Sequence, residues 1–143
     1  MEEKILTQEN FIAFVNDLIN GNNIVVGETK NGIDWKRISS AEELKINNDK
    51  IPSNISYKEF LFSKTEPVFY FRNNKDNYDL IETKIPGDET KTVFIGAKPC
   101  DAASIEIMSK VFNWDYKDKF FNERANRSIV IGVACSYQDE FCF

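Results

Sequence analysis

Residues 92–102 read TVFIGAKPCDA, and residues 128–134 read SIVIGVA. Each stretch starts with a short, continuous apolar run, which is typical of strands that are buried on both faces. Between the two runs the pattern predicts two helices, at about residues 101–112 and 116–125. A strand, two helices and a second strand indicate a crossover that joins two parallel strands. This segment therefore predicts an α/β fold.

The start of the chain predicts an amphipathic helix over residues 7–20. Thr7 suits the N-cap, because its hydroxyl accepts a hydrogen bond from a free backbone N–H. Gly21 is expected to end the helix in the left-handed conformation, which glycine adopts at little cost. The apolar residues that share one face of this helix are Phe11, Phe14, Val15, Leu18 and Ile19.

A hairpin is predicted next, with strands at residues 24–29 and 33–38 around a type I′ turn at Asn31-Gly32. Further elements are a short helical turn at residues 39–45, an exposed polar connection at residues 46–59, and strands at residues 66–71 and 78–85. The expected architecture is an α/β fold with a mixed sheet, an N-terminal helix and a hairpin. An α+β fold is the alternative class.

The composition fits one domain over residues 1–143, since 42% of the residues are hydrophobic. The formal net charge of −5 makes nucleic acid an unexpected partner. No secretory leader or membrane-length apolar run is visible, and three cysteines are an odd number, so a reducing cytoplasm is expected. Histidine is absent, which excludes a Ser–His–Asp triad and a histidine-containing zinc site within this chain.

The loop after the first buried strand is the leading candidate for chemistry. In open α/β sheets, ligands bind at the carboxyl ends of the strands. Cys100 is predicted at the N-terminus of a helix, where free N–H groups stabilise a thiolate. Lys98 adds positive charge there, whereas Asp101 suits the N-cap and opposes thiolate formation slightly. The structural alternative is a small buried cysteine in a tight turn.

Two further cysteines follow the last predicted strand. Cys135 ends that strand, so parallel strands would bring it to the same sheet edge as Cys100, and Cys142 can fold back to the same place. Three converging thiolates would suit a soft metal or an iron–sulfur cluster. A shared cluster predicts sulfurs of Cys100 and Cys135 within about 7 Å of each other. The alternative is three unrelated thiols.

Residues 113–127 interleave aromatic and charged side chains. Arg124 or Arg127 is a candidate for holding a carboxylate or a phosphate. The alternative is a solvated helix face whose aromatic residues pack into the core.

Two motifs together resemble a known family of iron–sulfur subunits. Residues 58–67, KEFLFSKTEP, are similar to its "KEFLFP…E" segment, and residues 96–102 are similar to its "GxRPCDA" loop. Later stretches of residues 58–143 follow the family's further motifs in order. The family comprises sulfhydrogenase beta subunits, the iron–sulfur electron-transfer subunits of anaerobic sulfite reductases and related 4Fe–4S dicluster proteins.

The chain also departs from the family pattern. Lys98 stands where the family has arginine, Ser109 replaces an aspartate, and Ala125 replaces the second arginine of an "RR" pair. The two ferredoxin-type cysteine runs of the family's second half have no counterpart in residues 1–143. We therefore expect this chain to be the N-terminal fragment of a longer subunit.

The resemblance implies an electron-transfer component of an anaerobic sulfite reductase or of a hydrogenase or sulfur reductase complex. Other subunits of that complex are the implied partners, and the isolated chain is expected to be inactive. Cys100, Cys135 and Cys142 would be ligands or redox thiols, with Lys98 and Asp101 tuning the field around them. The longer subunit would hold the iron–sulfur cluster. A "GxPC" loop of flavin-binding hydrogenase subunits adds a flavin by analogy.

Two other functions compete with this interpretation. The first is a non-catalytic docking module that uses the aromatic-rich residues 112–121 and the phenylalanine-rich residues 60–71. The second is an enzyme that uses Cys100 as its reactive group, which requires a depressed thiol pKa.

Overall fold

The structure is a computed structural model that describes residues 5–30, 34–46, 55–74, 77–82, 90–135, 140 and 142. Across these residues the chain forms helices, two sheets and two 3₁₀ turns. In chain order the elements are α1 (Gln8–Asn20), β1 (Ile24–Glu28), β2 (Trp35–Arg37), a 3₁₀ turn (Ala41–Glu43), a second 3₁₀ turn (Tyr57–Phe60), β3 (Phe69–Asn74), β4 (Asn77–Glu82), β5 (Thr92–Ala97), α2 (Pro99–Phe112), α3 (Lys119–Asn126) and β6 (Ser128–Gly132).

The larger sheet has the strand order β2-β1-β5-β6. β5 pairs in parallel with both β1 and β6, while β2 pairs antiparallel with β1. This mixed sheet confirms the predicted α/β class, the hairpin after the first helix, and the strand-helix-helix-strand unit over residues 92–132. The parallel pairing of β5 with β6 places the residues after both strands at one edge of the sheet.

β5 lies in the middle of the hydrophobic core, and its side chains alternate between the two faces of the sheet. Val93 and Ile95 face the layer that contains α1, whereas Phe94 and Ala97 face the layer that contains α2 and α3. The first layer buries Val15, Val25, Ile38, Ala41 and Leu44; the second buries Val26, Trp35, Tyr57, Leu61 and Phe121. The sheet is therefore covered on both faces, as continuous apolar strands require.

The first helix begins as predicted. The Thr7 hydroxyl accepts a hydrogen bond from the Asn10 N–H at 3.3 Å. The prediction for Gly21 is wrong, because Gly21 has φ −75° and Asn22 takes the left-handed conformation with φ 62°. Asparagine is the non-glycine residue that tolerates this region best, so Gly21 is free to close the last turn through Asp17.

Other predictions need correction. The last strand was predicted to be buried, but β6 is an edge strand, and Ile129 is 43% exposed because only one neighbour covers it. Residues 46–59 were predicted to form an exposed connection, whereas Tyr57 is fully buried against the sheet. The predicted strands at residues 66–71 and 78–85 become β3 and β4, which pair only with each other. The predicted turn at Asn31-Gly32 lies outside the described residues.

None of the helices in the described part of the chain is both long and apolar enough to cross a membrane.

Candidate functional site

The loop that follows β5 leaves the sheet through a bulge. The pairing with β6 shifts register between Ile95 and Ala97, so that Ala97 lies opposite Gly132. Gly96, inside the bulge, has φ 97°. The Val133 N–H then bonds to the Ala97 carbonyl at 2.9 Å. The bulge turns the chain toward the carboxyl edge of the sheet, where the cysteine loop was predicted.

Replacing Gly96 by alanine is expected to lower the free energy of unfolding by about 1–2 kcal/mol. No atom lies within 4 Å of the position that a Cβ would take, so the cost comes from the backbone conformation rather than from a clash. Gly96→Asn should cost less than Gly96→Ala, because asparagine tolerates positive φ better. Urea unfolding of the two variants measures this difference, and equal losses would contradict the backbone explanation.

The helix after the loop begins earlier than the sequence suggested. Lys98 is the N-cap residue, with ψ 157°, and Pro99 opens α2. Cys100 is therefore in the first turn, as predicted, and its side chain is partly exposed. The prediction that Asp101 caps the helix is wrong, because Asp101 is the third residue of α2. Proline is favoured at the first position, since it has no N–H to satisfy there.

A tyrosine that sequence reasoning missed holds this first turn. The Tyr57 hydroxyl donates a hydrogen bond to the Asp101 backbone carbonyl. The Ser104 hydroxyl donates to the same carbonyl at 2.5 Å. Tyr57 is fully buried and packs between Trp35 and Phe94. The residue directly after Cys100 is thus tied to the core by two side chains.

Burial raises the pKa of Tyr57 above its ordinary value near 10, since the phenolate would lose its hydration. The negative charges of Asp101 and Cys100 act in the same direction, while the hydrogen bond with Ser104 opposes the shift. Tyr57 is therefore held as a neutral phenol, and its hydroxyl is close enough to the first turn of α2 to respond to charge there.

This raised pKa predicts a loss of stability at high pH. The unfolded chain ionises Tyr57 near pH 10, while the folded chain keeps the proton. Tyr57 therefore contributes fully below about pH 10, and the contribution is lost as the pH rises toward the folded pKa, by at most about 1.4 kcal/mol per pH unit. Urea unfolding between about pH 9 and pH 11 should show a shallower decline for Tyr57→Phe than for the parent chain. Parallel declines would contradict the assignment to Tyr57.

The other two predicted ligands lie after the last strand. Cys135 is three residues beyond the end of β6 and is exposed, and Cys142 is exposed as well. Among the residues that the structure describes, which include all three cysteines, no three cysteine, aspartate or glutamate side chains are grouped to hold a metal. The described residues therefore do not fit an iron–sulfur cluster as they stand. The assignment of Cys100, Cys135 and Cys142 as ligands stays a prediction, as does their sulfur separation.

Arg124 was a candidate for holding an anion, and it holds one from its own chain. Its two terminal nitrogens donate to the two carboxylate oxygens of Glu66 at 2.8 and 2.7 Å. The side chains are only 17% and 21% exposed. A pocket of about 130 Å³ adjoins this ion pair and is lined by Leu61, Phe62, Glu66, Val68, Phe112, Asp118, Phe120, Phe121 and Arg124. The pair joins α3 to the segment that leads into β3.

The β3–β4 hairpin is apolar and exposed on both faces. Neighbouring residues of a strand point to opposite faces. Phe69, Tyr70 and Phe71 are nevertheless 53%, 57% and 69% exposed, so the described residues cover neither face. We call this region the hairpin surface; it consists of Val68, Phe69, Tyr70, Phe71, Tyr78, Leu80 and Ile81. An isolated two-stranded hairpin is only marginally stable in water.

A second exposed apolar region lies on α2 and the turn after it. Ile107 and Val111 are four residues apart, which places them on one face of the helix, and they are 51% and 64% exposed. Trp114 and Tyr116 follow and are 83% and 84% exposed. We call these four residues the helix surface. The opposite side of α2 packs into the core through Ile105, Met108 and Phe112.

The chain is similar to a curated protein whose name agrees with the sequence resemblance. It is 26% identical over 109 residues to sulfhydrogenase 2 subunit beta of Pyrococcus furiosus. The chain resembles a sulfhydrogenase beta subunit. The match covers 76% of this chain and 30% of the Pyrococcus protein. No family model matches the chain, and no solved structure matches it.

This likeness confirms the predicted similarity to sulfhydrogenase beta subunits and leaves the finer predictions where they stood. The chain spans about 30% of the length of the relative that it matches. The activity of a whole subunit therefore cannot be assigned to this chain from the likeness.

Proposed function

We propose that this chain is the α/β part of a longer electron-transfer subunit in a hydrogenase, sulfur reductase or anaerobic sulfite reductase complex, and that it docks the other subunits. The observation that carries the docking role is the hairpin surface, with three consecutive strand residues at least 53% exposed. The similarity to a sulfhydrogenase beta subunit over 76% of the chain supports the kind of complex. A reducing cytoplasmic location is part of this proposal.

The physical argument is that an uncovered apolar hairpin needs a partner. Monomeric proteins rarely expose large contiguous apolar patches, and such patches mark interaction sites. The two strands also leave open edges to which another strand can add. Aromatic residues are the side chains that contribute most to binding at interfaces, and the hairpin surface holds four of them: Phe69, Tyr70, Phe71 and Tyr78.

The test is binding of the chain to the remaining purified subunits of the source organism's hydrogenase or sulfite reductase complex. Phe71 lies opposite Leu80, and Tyr70 lies opposite Ile81, so each pair forms the centre of one hairpin face. The double variant Phe71→Ser/Leu80→Ser should weaken binding at least about tenfold if its face docks. Tyr70→Ser/Ile81→Ser tests the other face in the same way.

A control variant separates the hairpin from the helix surface. Val111→Ser/Trp114→Ser removes apolar area on α2, and it should leave binding within a factor of about two if the hairpin is the contact. Unchanged affinity in both hairpin variants, with all variants folded, would refute the docking role of the hairpin. Absence of any binding by the parent chain would refute the proposed complex.

A redox role of the cysteine loop is the second candidate. The favouring observation is the place of Cys100 in the first turn of α2, at the carboxyl edge of parallel strands. Anaerobic iron and sulfide reconstitution of the full-length subunit, read by absorbance, tests it. Cys100→Ser should remove part of the cluster absorbance, with Ser109→Ala as a control on the same helix. An unchanged spectrum in Cys100→Ser would remove Cys100 as a ligand.

A further inference from the structure

Three side chains that give up an electron readily lie in a row through the second core layer. These are the indole of Trp35, the phenol of Tyr57 and the thiol of Cys100. The Trp35 and Tyr57 rings have centroids 5.3 Å apart and planes inclined by 52°. Trp35 is 4% exposed and Tyr57 is fully buried, so neither ring is open to solvent reagents.

The phenol end of Tyr57 reaches the helix turn that carries the thiol. Its hydroxyl bonds to the carbonyl of Asp101, which directly follows Cys100 in α2. The charge of Cys100 also acts on the phenol, as expected of groups at close range. Of the three groups, only Cys100 is partly exposed. The row therefore runs from a buried indole to a thiol that solvent reaches.

We propose that Trp35, Tyr57 and Cys100 form a path that carries a one-electron oxidation from the core to the thiol at the sheet edge. This inference goes beyond the docking role and does not rest on it. Oxidation of a buried ring damages the core irreversibly, whereas the first oxidation products of cysteine are reversible. The path would thus move damage to the one position where small thiols can repair it.

The electrons balance as follows. A one-electron oxidant of the carbonate-radical class takes an electron from Trp35 and leaves as carbonate. Tyr57 returns an electron to the indole and releases its phenolic proton to solvent. Cys100 then gives a hydrogen atom to the Tyr57 phenoxyl, which becomes a phenol again. The result is a Cys100 thiyl radical and one released proton, and a small thiol repairs the thiyl by donating a hydrogen atom.

The test uses a chain with one tryptophan and one cysteine. The sequence has two tryptophans and three cysteines, so Trp114→Phe, Cys135→Ser and Cys142→Ser leave Trp35 and Cys100. Light that only indole absorbs, with hexaamminecobalt(III) as irreversible electron acceptor, oxidises Trp35 under anaerobic conditions. Transient absorbance gives the lifetime of the indole radical, and a spin trap followed by peptide mass spectrometry gives the yield of Cys100 thiyl.

Tyr57→Phe keeps the ring and removes the redox-active hydroxyl. We expect it to lengthen the lifetime of the Trp35 radical and to lower the trapped yield at Cys100 several-fold. Tyr116→Phe, at an exposed position, should change neither measurement. A Cys100 yield that is the same in Tyr57→Phe and in the parent would overturn the path, as would an absence of Cys100 adduct in the parent. Either result would leave the rings with a packing role only.

Discussion

Replacing Phe94 by alanine is expected to lower the free energy of unfolding by about 3–5 kcal/mol. Phe94 is fully buried at the centre of β5, between Val26 of β1 and Val130 of β6. Its ring contacts Tyr57 and Phe60, with centroids 5.0 and 6.3 Å away. Alanine would remove these contacts and leave a cavity that the neighbouring strands cannot close.

The expected loss is large compared with the total stability of a domain of this kind, about 5–15 kcal/mol. Urea unfolding followed by circular dichroism measures it. Phe71→Ala is the matched control, because Phe71 is 69% exposed and its truncation should change stability by no more than about 0.5 kcal/mol. Similar losses for the two variants would show that the core is not centred on β5.

The second half of the fold could be predicted because its signals are local. The apolar run before Gly96 and the helical spacing after Pro99 each lie within a few residues. Two such strands around helices leave little choice of topology, since crossover connections join parallel strands. The placement of Cys100 in the first turn of α2 followed from the same local pattern.

The contacts that complete the site could not be predicted, because they join distant parts of the chain. Tyr57 and Asp101 are 44 residues apart, and Glu66 and Arg124 are 58 apart. Residues around Tyr57 are polar, so the local pattern indicated an exposed connection. The spacing of Tyr57 with the buried Leu61 was the one helical signal for burial there.

The exposure of the hairpin was likewise beyond the sequence pattern. The residues of β3 and β4 have the composition of buried strands, and apolar strands usually pair into the main sheet. Whether a strand is covered depends on what packs against it. A partner that covers apolar residues leaves the same local composition as a core that does so, and only the three-dimensional arrangement separates the two.

Arg124→Gln is expected to lower the free energy of unfolding by about 2–3 kcal/mol, between the values for exposed and buried ion pairs. The variant would leave the Glu66 carboxylate, 21% exposed, without the guanidinium that binds both of its oxygens. The control is Lys110→Gln, since the Lys110–Glu106 pair is 73% and 77% exposed at 3.0 Å. That substitution should cost no more than about 0.5 kcal/mol.

A double-mutant cycle with Glu66→Gln separates the ion pair from packing. The double variant should be more stable than Arg124→Gln alone, because it removes the stranded carboxylate together with its partner. Glu66 lies three residues before β3, so loss of the pair should also release the base of the hairpin and raise the rate of hydrogen exchange in Phe69 and Tyr70. Additive losses in the cycle, with unchanged exchange in β3, would mean that the pair neither stabilises the fold as a unit nor positions the hairpin.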